Sequence, residues 1–429
     1  MSNVLLGQFP RFSAHDPGAS GEGSLDPLGL AAVADKIADR LAPGIRARMS
    51  QPRFVTLSAI GAFACQPIRD LVSSDGKTSF DIAFEWLVVE SLVQHPDSER
   101  LRGLPGSQKA QRAARTKERL GAATYLAGPR VFGFTGVYRP FSQDSNVLET
   151  NGSPAKNAEE LIRRWERDQG LDGFIGGTPG SVGIKLRIEI EKQCSAALRK
   201  GHVTAPDGLM RQLADSTAPK EAKSRERKFL RELITTGPHE IRNELTGLLA
   251  ESLPPKDASQ LEIARDLCAA ASPITKTALR AAIDFEAAAT AIEYAFRRLL
   301  AYATSLGGDF SIEQAAATPN LSDVAPRLGT LTKQATDSVA ALDESLAHEV
   351  AHCFDFFDRA MSATGFVQAL IDRHEQVEAV KEKRMWIDPI QKKWQVRAPY
   401  RNQSLSHDDS RWTHPMRLKT LAAFLEATG

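Results

Sequence analysis

The chain reads as mainly α-helical and multi-helical, with a helix-turn-helix or winged-helix-like unit and a small C-terminal β-hairpin. Three observations predict that class. Apolar residues recur at three- and four-residue spacing through most of the length, and the alanine-rich run from Ala258 to Leu306 carries few breakers. Only the stretch from Trp386 to Arg401 alternates in the manner of short strands.

Composition bounds the function classes. A length of 429 residues accommodates two or three domains with their own cores. Basic side chains number 54 and acidic ones 53, so a surface for nucleic acid has to be local rather than spread over the whole molecule. Cys65, Cys194, Cys268 and Cys353 are scattered without a CxxC pair, the usage of a reduced, cytoplasmic protein. No apolar run of the length of a membrane span and no basic, hydrophobic leader is present, so no membrane partner is expected.

In order, residues 1–24 read as a flexible leader rich in Gly, Ser and Pro. Its HDPGAS run is similar to the water-activating loop of some uracil-DNA glycosylases, but in a glycine-rich leader it reads first as plain loop. Residues 25–120 form a helical N-terminal domain. It opens with an amphipathic helix bounded by Asp26-Pro27 and Pro43-Gly44. The stretch from Pro96 to Leu120 holds seven Lys or Arg residues among few acids, the pattern of a solvated helix face or of a phosphate-contacting arm. Residues 121–215 suit the helix-turn-helix or winged-helix unit, one helix carrying Tyr138 and Arg139, the next Arg163, Arg164 and Arg167. Gly176, Gly177, Gly180 and Gly183 precede a helix, but without a GK[ST] ending they predict a connection rather than a nucleotide loop.

Residues 216–337 make a further helical domain. Its basic start, from Lys220 to Arg231, is interleaved with Glu221, Glu226 and Glu232, which can pair along the helix. Residues 338–429 form a C-terminal helical and β-hairpin region that is both basic and aromatic. His348, Glu349 and His352 there have the HExxH spacing, which puts both imidazoles on one helix face for zinc with Glu349 on a bound water. Val339, Leu342, Leu346, Val350, Phe357 and Met361 define the opposite, buried stripe, so the same histidines also read as a solvated face, and no third ligand follows at close range. Zinc is expected only under that metallopeptidase alternative; otherwise no cofactor is expected.

The cations and rings of this region are the other candidate site. His374, Lys381, Lys383, Arg384, Trp386, Arg397, Tyr400, Arg401, His414 and Arg417, with Tyr138 and Arg139 upstream, are the residue types that bind phosphates and stack on bases. A small domain with tryptophans as core and charges as rim would show the same composition.

The chain also resembles a group of bacterial proteins found among anti-phage defence genes. The resemblance lies in the DPLGL run from Asp26 to Leu30, the Leu-x-Pro-Gly turn from Leu41 to Gly44, and Pro52 to Phe54. It continues through the GFTGVYRPF run with the tryptophan-centred helix after it, and ends on His374, Lys383, Trp386, His414, Arg417 and Leu418. It implies a defence protein acting on viral DNA, double- or single-stranded, alongside other defence-system proteins. Expected activities are a DNA glycosylase removing modified bases or a nuclease. The alternatives are the HExxH zinc metallopeptidase and a non-catalytic DNA-binding adaptor. No catalytic residue stands out beyond Glu349 in the metallopeptidase reading.

Overall fold

A computed structural model describes residues 26–94, 101, 103–128, 133–220, 222–401 and 411–429. The leader with its HDPGAS run lies outside the described residues, as do Arg100 and Arg102 of the basic stretch.

The described chain is mainly helical with a small antiparallel sheet near its C-terminal end. Its helices are α1 (Ala31–Leu41), α2 (Arg53–Ala64), α3 (Phe80–Gln94), α4 (Ser107–Arg115), α5 (Phe134–Asp144), α6 (Ala158–Gln169), α7 (Val182–Lys200), α8 (Asp207–Thr217) and α9 (Ser224–Thr235). They continue with α10 (Glu240–Glu251), α11 (Gln260–Ala270), α12 (Pro273–Ser305), α13 (Ile312–Ala316), α14 (Pro319–Val324), α15 (Leu328–Leu342), α16 (Glu344–Phe354), α17 (Ala363–Val380) and α18 (Leu418–Thr428). The strands are β1 (Asp309–Phe310), β2 (Ile387–Ile390) and β3 (Lys393–Val396).

Two compact units divide these elements, and each gathers segments far apart in sequence. The first takes residues 26–32, 288–333 and 349–401; the second takes 33–287, 334–348 and 411–429.

The second unit is built around α2 and α3. Both are apolar nearly all round, the pattern of a helix enclosed by others. Accordingly α2 packs on α3, α5 and α6, while α3 packs on α4, α7 and α8. Their approach is close at Gly61, where a Cβ would lie 2.4 Å from the Phe84 ring. Trp86 is buried within this layer, and its indole donates to the Leu126 carbonyl at 2.8 Å. Further along, α18 packs on α9, α10 and α11.

Between α5 and α6, residues 145–157 fold back on themselves through a polar turn at Asn151 and Gly152, with Leu148 bridged to Pro154, and α6 is packed against both α2 and α9. Leu161, Ile162 and Trp165 drive that burial, while Arg163, Arg164 and Arg167 lie on the outer side of α6.

In the first unit, α17 packs on α13 and α14, and the sheet order is β1-β3-β2, all antiparallel. The hairpin expected between Trp386 and Arg401 is present, with Ile387 opposite Val396 and Ile390 opposite Lys393. Its two-residue turn places Gln391 at φ +55°, the left-handed backbone that such turns require. Strand β1 pairs Asp309 with Gln395 and was not expected, because two residues carry no alternation to detect.

The HExxH region is also not one continuous helix. It breaks at Asp343, whose carboxylate accepts from the Leu346 amide at 3.0 Å and pairs with Arg40, capping α16.

Candidate nucleic-acid interface

Of the twelve residues picked out by type and by resemblance, five are buried, five are half-buried, and Lys383 and Arg384 are exposed. Tyr138 is buried on α5; its hydroxyl accepts from the Gln51 amide at 2.9 Å, its ring lies 5.2 Å from Phe54, and burial pushes its pKa up. Its neighbour Arg139 is part-exposed and faces Asp81 at 3.5 Å. Asp81, Thr135, Arg139 and Ser58 line a shallow surface dent between Phe84 and Phe134.

Behind the dent, Glu85 is fully buried. It accepts from the Thr135 amide at 2.9 Å and the Tyr125 hydroxyl at 3.1 Å, so it caps the first turn of α5 from another helix. Burial raises its pKa to about 7, the hydrogen bonds from Thr135 and Tyr125 pulling the other way. Gly133 has to be glycine for this, since a Cβ there would stand 2.2 Å from the Glu85 carboxylate. The GFTGVY run is therefore explained by packing: room for Glu85, a ring on Phe54, an amide for the cap and a hydroxyl for Gln51.

In the first unit, His374 is buried with both ring nitrogens engaged. Nδ1 faces the Pro27 carbonyl at 2.9 Å and Nε2 faces the Trp386 amide at 2.9 Å. A carbonyl only accepts and an amide N–H only donates, so the ring is the neutral Nδ1–H tautomer. Desolvation, with a smaller contribution from Lys381, lowers its pKa to about 4 against the favourable Pro27 hydrogen bond. Trp386 is buried and stacked on Tyr400 at 4.4 Å with planes 2° apart. Lys381 donates to the Asp26 carbonyl, Arg401 to the Val396 carbonyl at 2.8 Å, and Arg397 to the Met385 carbonyl at 3.5 Å. Arg384 pairs with Asp388 at 2.7 Å, and Lys383 is exposed.

In the second unit, His414 is buried against Glu286 at 2.7 Å. Arg417, buried to 1% exposure, is gripped by Asp35 and Asp39 and donates to the Asp35 carbonyl at 3.2 Å. Its own backbone, at φ +64°, is left-handed at the N-cap of α18. Of the twelve residues expected to touch nucleic acid, Tyr138, His374, Lys381, His414 and Arg417 tie together segments far apart in sequence. Composition could not separate the two readings because a buried cation paired with a carbonyl looks, in sequence, like one facing a phosphate.

On α16, His348, Glu349 and His352 are exposed, and His352 Nδ1 lies 2.9 Å from Asp355. Val339, Leu346, Val350 and Phe357 are buried opposite them, as the apolar stripe predicts. Among the described residues no three His, Cys, Asp or Glu side chains are grouped so as to hold a metal ion.

The glycine-rich approach to α7 also spends its amides internally. Gly183 N donates to the Asp172 carbonyl at 3.2 Å and Ile184 N to Ser181 Oγ at 3.4 Å. Other basic runs are partly neutralised: Arg163 and Arg164 pair with Glu159 and Glu160 one turn back, and Arg225 pairs with Asp168, while Arg167 and Lys228 are exposed with no ion pair among the described residues.

Helix α4 differs. Its sequence SQKAQRAAR contains no acid, and only Ala110 and Ala113 are buried. Lys109 is held by the Tyr125 carbonyl, whereas Arg112 and Arg115, and Lys117 just past the helix, are exposed and form no ion pair among the described residues. The signal for this face was present in the acid-free run at helical spacing.

No helix among the described residues is long and apolar enough to cross a membrane. Comparison with protein-family models, curated proteins and solved structures finds no match.

Proposed function

We propose that this protein binds DNA through its phosphate backbone, as a non-catalytic adaptor of an anti-phage defence system. The observation that carries this reading is the outward face of α4, where Arg112, Arg115 and Lys117 stand exposed with no carboxylate in the helix to neutralise them. Backbone binding of this kind is insensitive to sequence and strongly dependent on salt, because each bound cation releases condensed counterions. The defence context comes from the resemblance of the DPLGL, GFTGVYRPF and His-Pro-x-Arg-Leu runs alone.

Titrating labelled duplex DNA with protein across a salt series tests the reading. The slope of log K against log salt should fall by about 3 in an Arg112→Ala/Arg115→Ala/Lys117→Ala variant, roughly one for each phosphate no longer neutralised. Equal slopes in variant and wild type would sink it.

A catalytic reading, base removal or strand cleavage, has one observation in its favour: the surface dent that places the part-exposed Asp81 carboxylate beside Arg139. A glycosylase needs a carboxylate that assists water or stabilises positive charge on the sugar. Incubation with phage DNA carrying normal or modified cytosines, followed by alkali, separates the readings. Breaks only after alkali, absent in Asp81→Asn, indicate base removal; direct breaks indicate a nuclease; intact DNA with retained binding indicates the adaptor.

A further inference from the structure

The geometry points to a larger phosphate-binding surface than α4 alone, completed by the C-terminal end of α7, with the nucleic-acid backbone as its ligand. This deepens the DNA-binding reading and rests on it.

The chain leaving α4 runs directly into an antiparallel pairing with the segment that follows α7. Gly121 is bridged to His202, the Val203 amide donates to the Leu120 carbonyl at 2.9 Å, and the Ala122 amide to the Gly201 carbonyl at 3.1 Å. Burial alternates from His202 to Ala205. Leu120 and Val203 point inward, while Arg119, His202 and Thr204 are exposed on the outer side. The pairing therefore sets His202 beside the segment that leads back to Lys117, with Arg199 and Lys200 on the other side of the bridge, toward Ala123 and Thr124, although some eighty positions separate the two segments in sequence.

Cations in the last turn of a helix ordinarily answer its own carbonyl dipoles. Here other groups do that work. The Leu198 carbonyl accepts from the Ser74 amide at 2.9 Å, the Gly201 carbonyl from Ala122, and the Lys200 carbonyl from His202 Nδ1 at 3.1 Å. Arg199 is left exposed with no partner among the described residues, and Lys200 has only the Thr204 hydroxyl at 3.3 Å.

The neighbouring acids are Glu90, which holds Arg119 at 2.7 Å, Asp75, whose ionised carboxylate accepts from Ser73, Lys77 and Thr78, Glu118, which accepts from Thr116 at 2.9 Å, and the exposed Asp207. Arg112, Arg115, Lys117, Arg199 and Lys200, with His202 between the two elements, outnumber Asp75, Glu118 and Asp207. No ion pair among the described residues holds any of these five, so a polyanion meets them without first breaking one. A duplex or single strand offers phosphates at regular spacing to match.

The test is DNA titration over a salt series with three variants: the α4 triple alanine, Arg199→Ala/Lys200→Ala, and the combination, each checked for an unchanged unfolding midpoint. We expect the α7 variant to reduce the slope by about 2 and to weaken binding on the order of tenfold. The Arg199→Lys/Lys200→Arg variant should restore it. Acetylation of the wild-type protein, read by mass spectrometry, gives an answer that does not depend on any variant folding: bound DNA should protect Lys117 and Lys200 together. If the α4 variant loses affinity while the α7 variant does not, and Lys200 acetylates freely with DNA bound, the extended surface is wrong and the α4 reading stands. If wild type shows no salt-dependent DNA binding, both fall. Equal competition by polyglutamate at matched charge would overturn the assignment to nucleic acid.

Discussion

Individual buried groups make the sharpest predictions. Glu85 holds a proton up to about pH 7 in the folded state, whereas a free glutamate loses it near 4.5. Between those values the folded chain binds the extra proton, so its contribution to stability is complete below 4.5 and is lost as pH rises through 7, a span of about 3 kcal/mol. Unfolding midpoints of wild type and Glu85→Gln, measured in urea from acid to neutral pH, should converge at low pH and differ in slope above it. Identical slopes would show that Glu85 titrates normally. His374 has the opposite sign. Its pKa is lowered from 6.5 to about 4, so below 6.5 the unfolded chain takes a proton that the native ring refuses, and stability falls as pH drops toward 4. Its imidazole resonances should titrate near 4, with the ¹⁵N pattern of an Nδ1–H tautomer; a midpoint near 6.5 would mean the hydrogen bonds to Pro27 and Trp386 do not hold. Arg417 illustrates a third case. Removing a buried guanidinium that Asp35 and Asp39 grip should cost about 2 kcal/mol, less than for a fully enclosed pair because both aspartates keep access to water. An Arg417→Ala variant should therefore be less stable in urea yet bind DNA with unchanged salt dependence.

At the scale of elements, the same amino-acid types fall into two roles according to what the backbone beside them needs. On α6 Arg163 and Arg164 find glutamates, on α9 Arg225 finds an aspartate, and in the hairpin region Arg397 and Arg401 find carbonyls, whereas Arg112 and Arg115 on α4 have neither. Charge on α4 is consequently dispensable for folding. Reversing it in Arg112→Glu/Arg115→Glu should leave the circular dichroism and unfolding midpoint within about 0.5 kcal/mol of wild type, as for exposed positions generally. A large loss of stability would mean this face is covered. α16 shows the reverse lesson: its HExxH spacing is met and its histidines share the exposed face, but two imidazoles on one helix do not make a closed metal site without further ligands, and none is grouped with them among the described residues.

Across the whole molecule, both units are assembled from segments that lie hundreds of positions apart, and the last stretch of chain belongs to the unit that begins at Val33. Helix α18 covers α9, α10 and α11, with His414 and Arg417 anchoring its approach. Deleting residues 411–429 should then strip hydrogen-exchange protection from α9 and α10 while leaving α17 protected; uniform retention would show that the terminal helix is an accessory. Local order was open to reading from the chain alone. Apolar periodicity located most helices, alternation located β2 and β3, and an acid-free basic run marked α4, because each depends on residues within a turn or two of one another. Long-range pairing was not open to it. Whether His374, Trp386, His414 and Arg417 face a ligand or a carbonyl, and whether Arg199 and Lys200 join α4, depends on which distant backbone groups arrive beside them. Side-chain chemistry determined what each residue is able to bind; only the tertiary structure decided which partner it already has, because an internal carbonyl and an external phosphate satisfy the same donor.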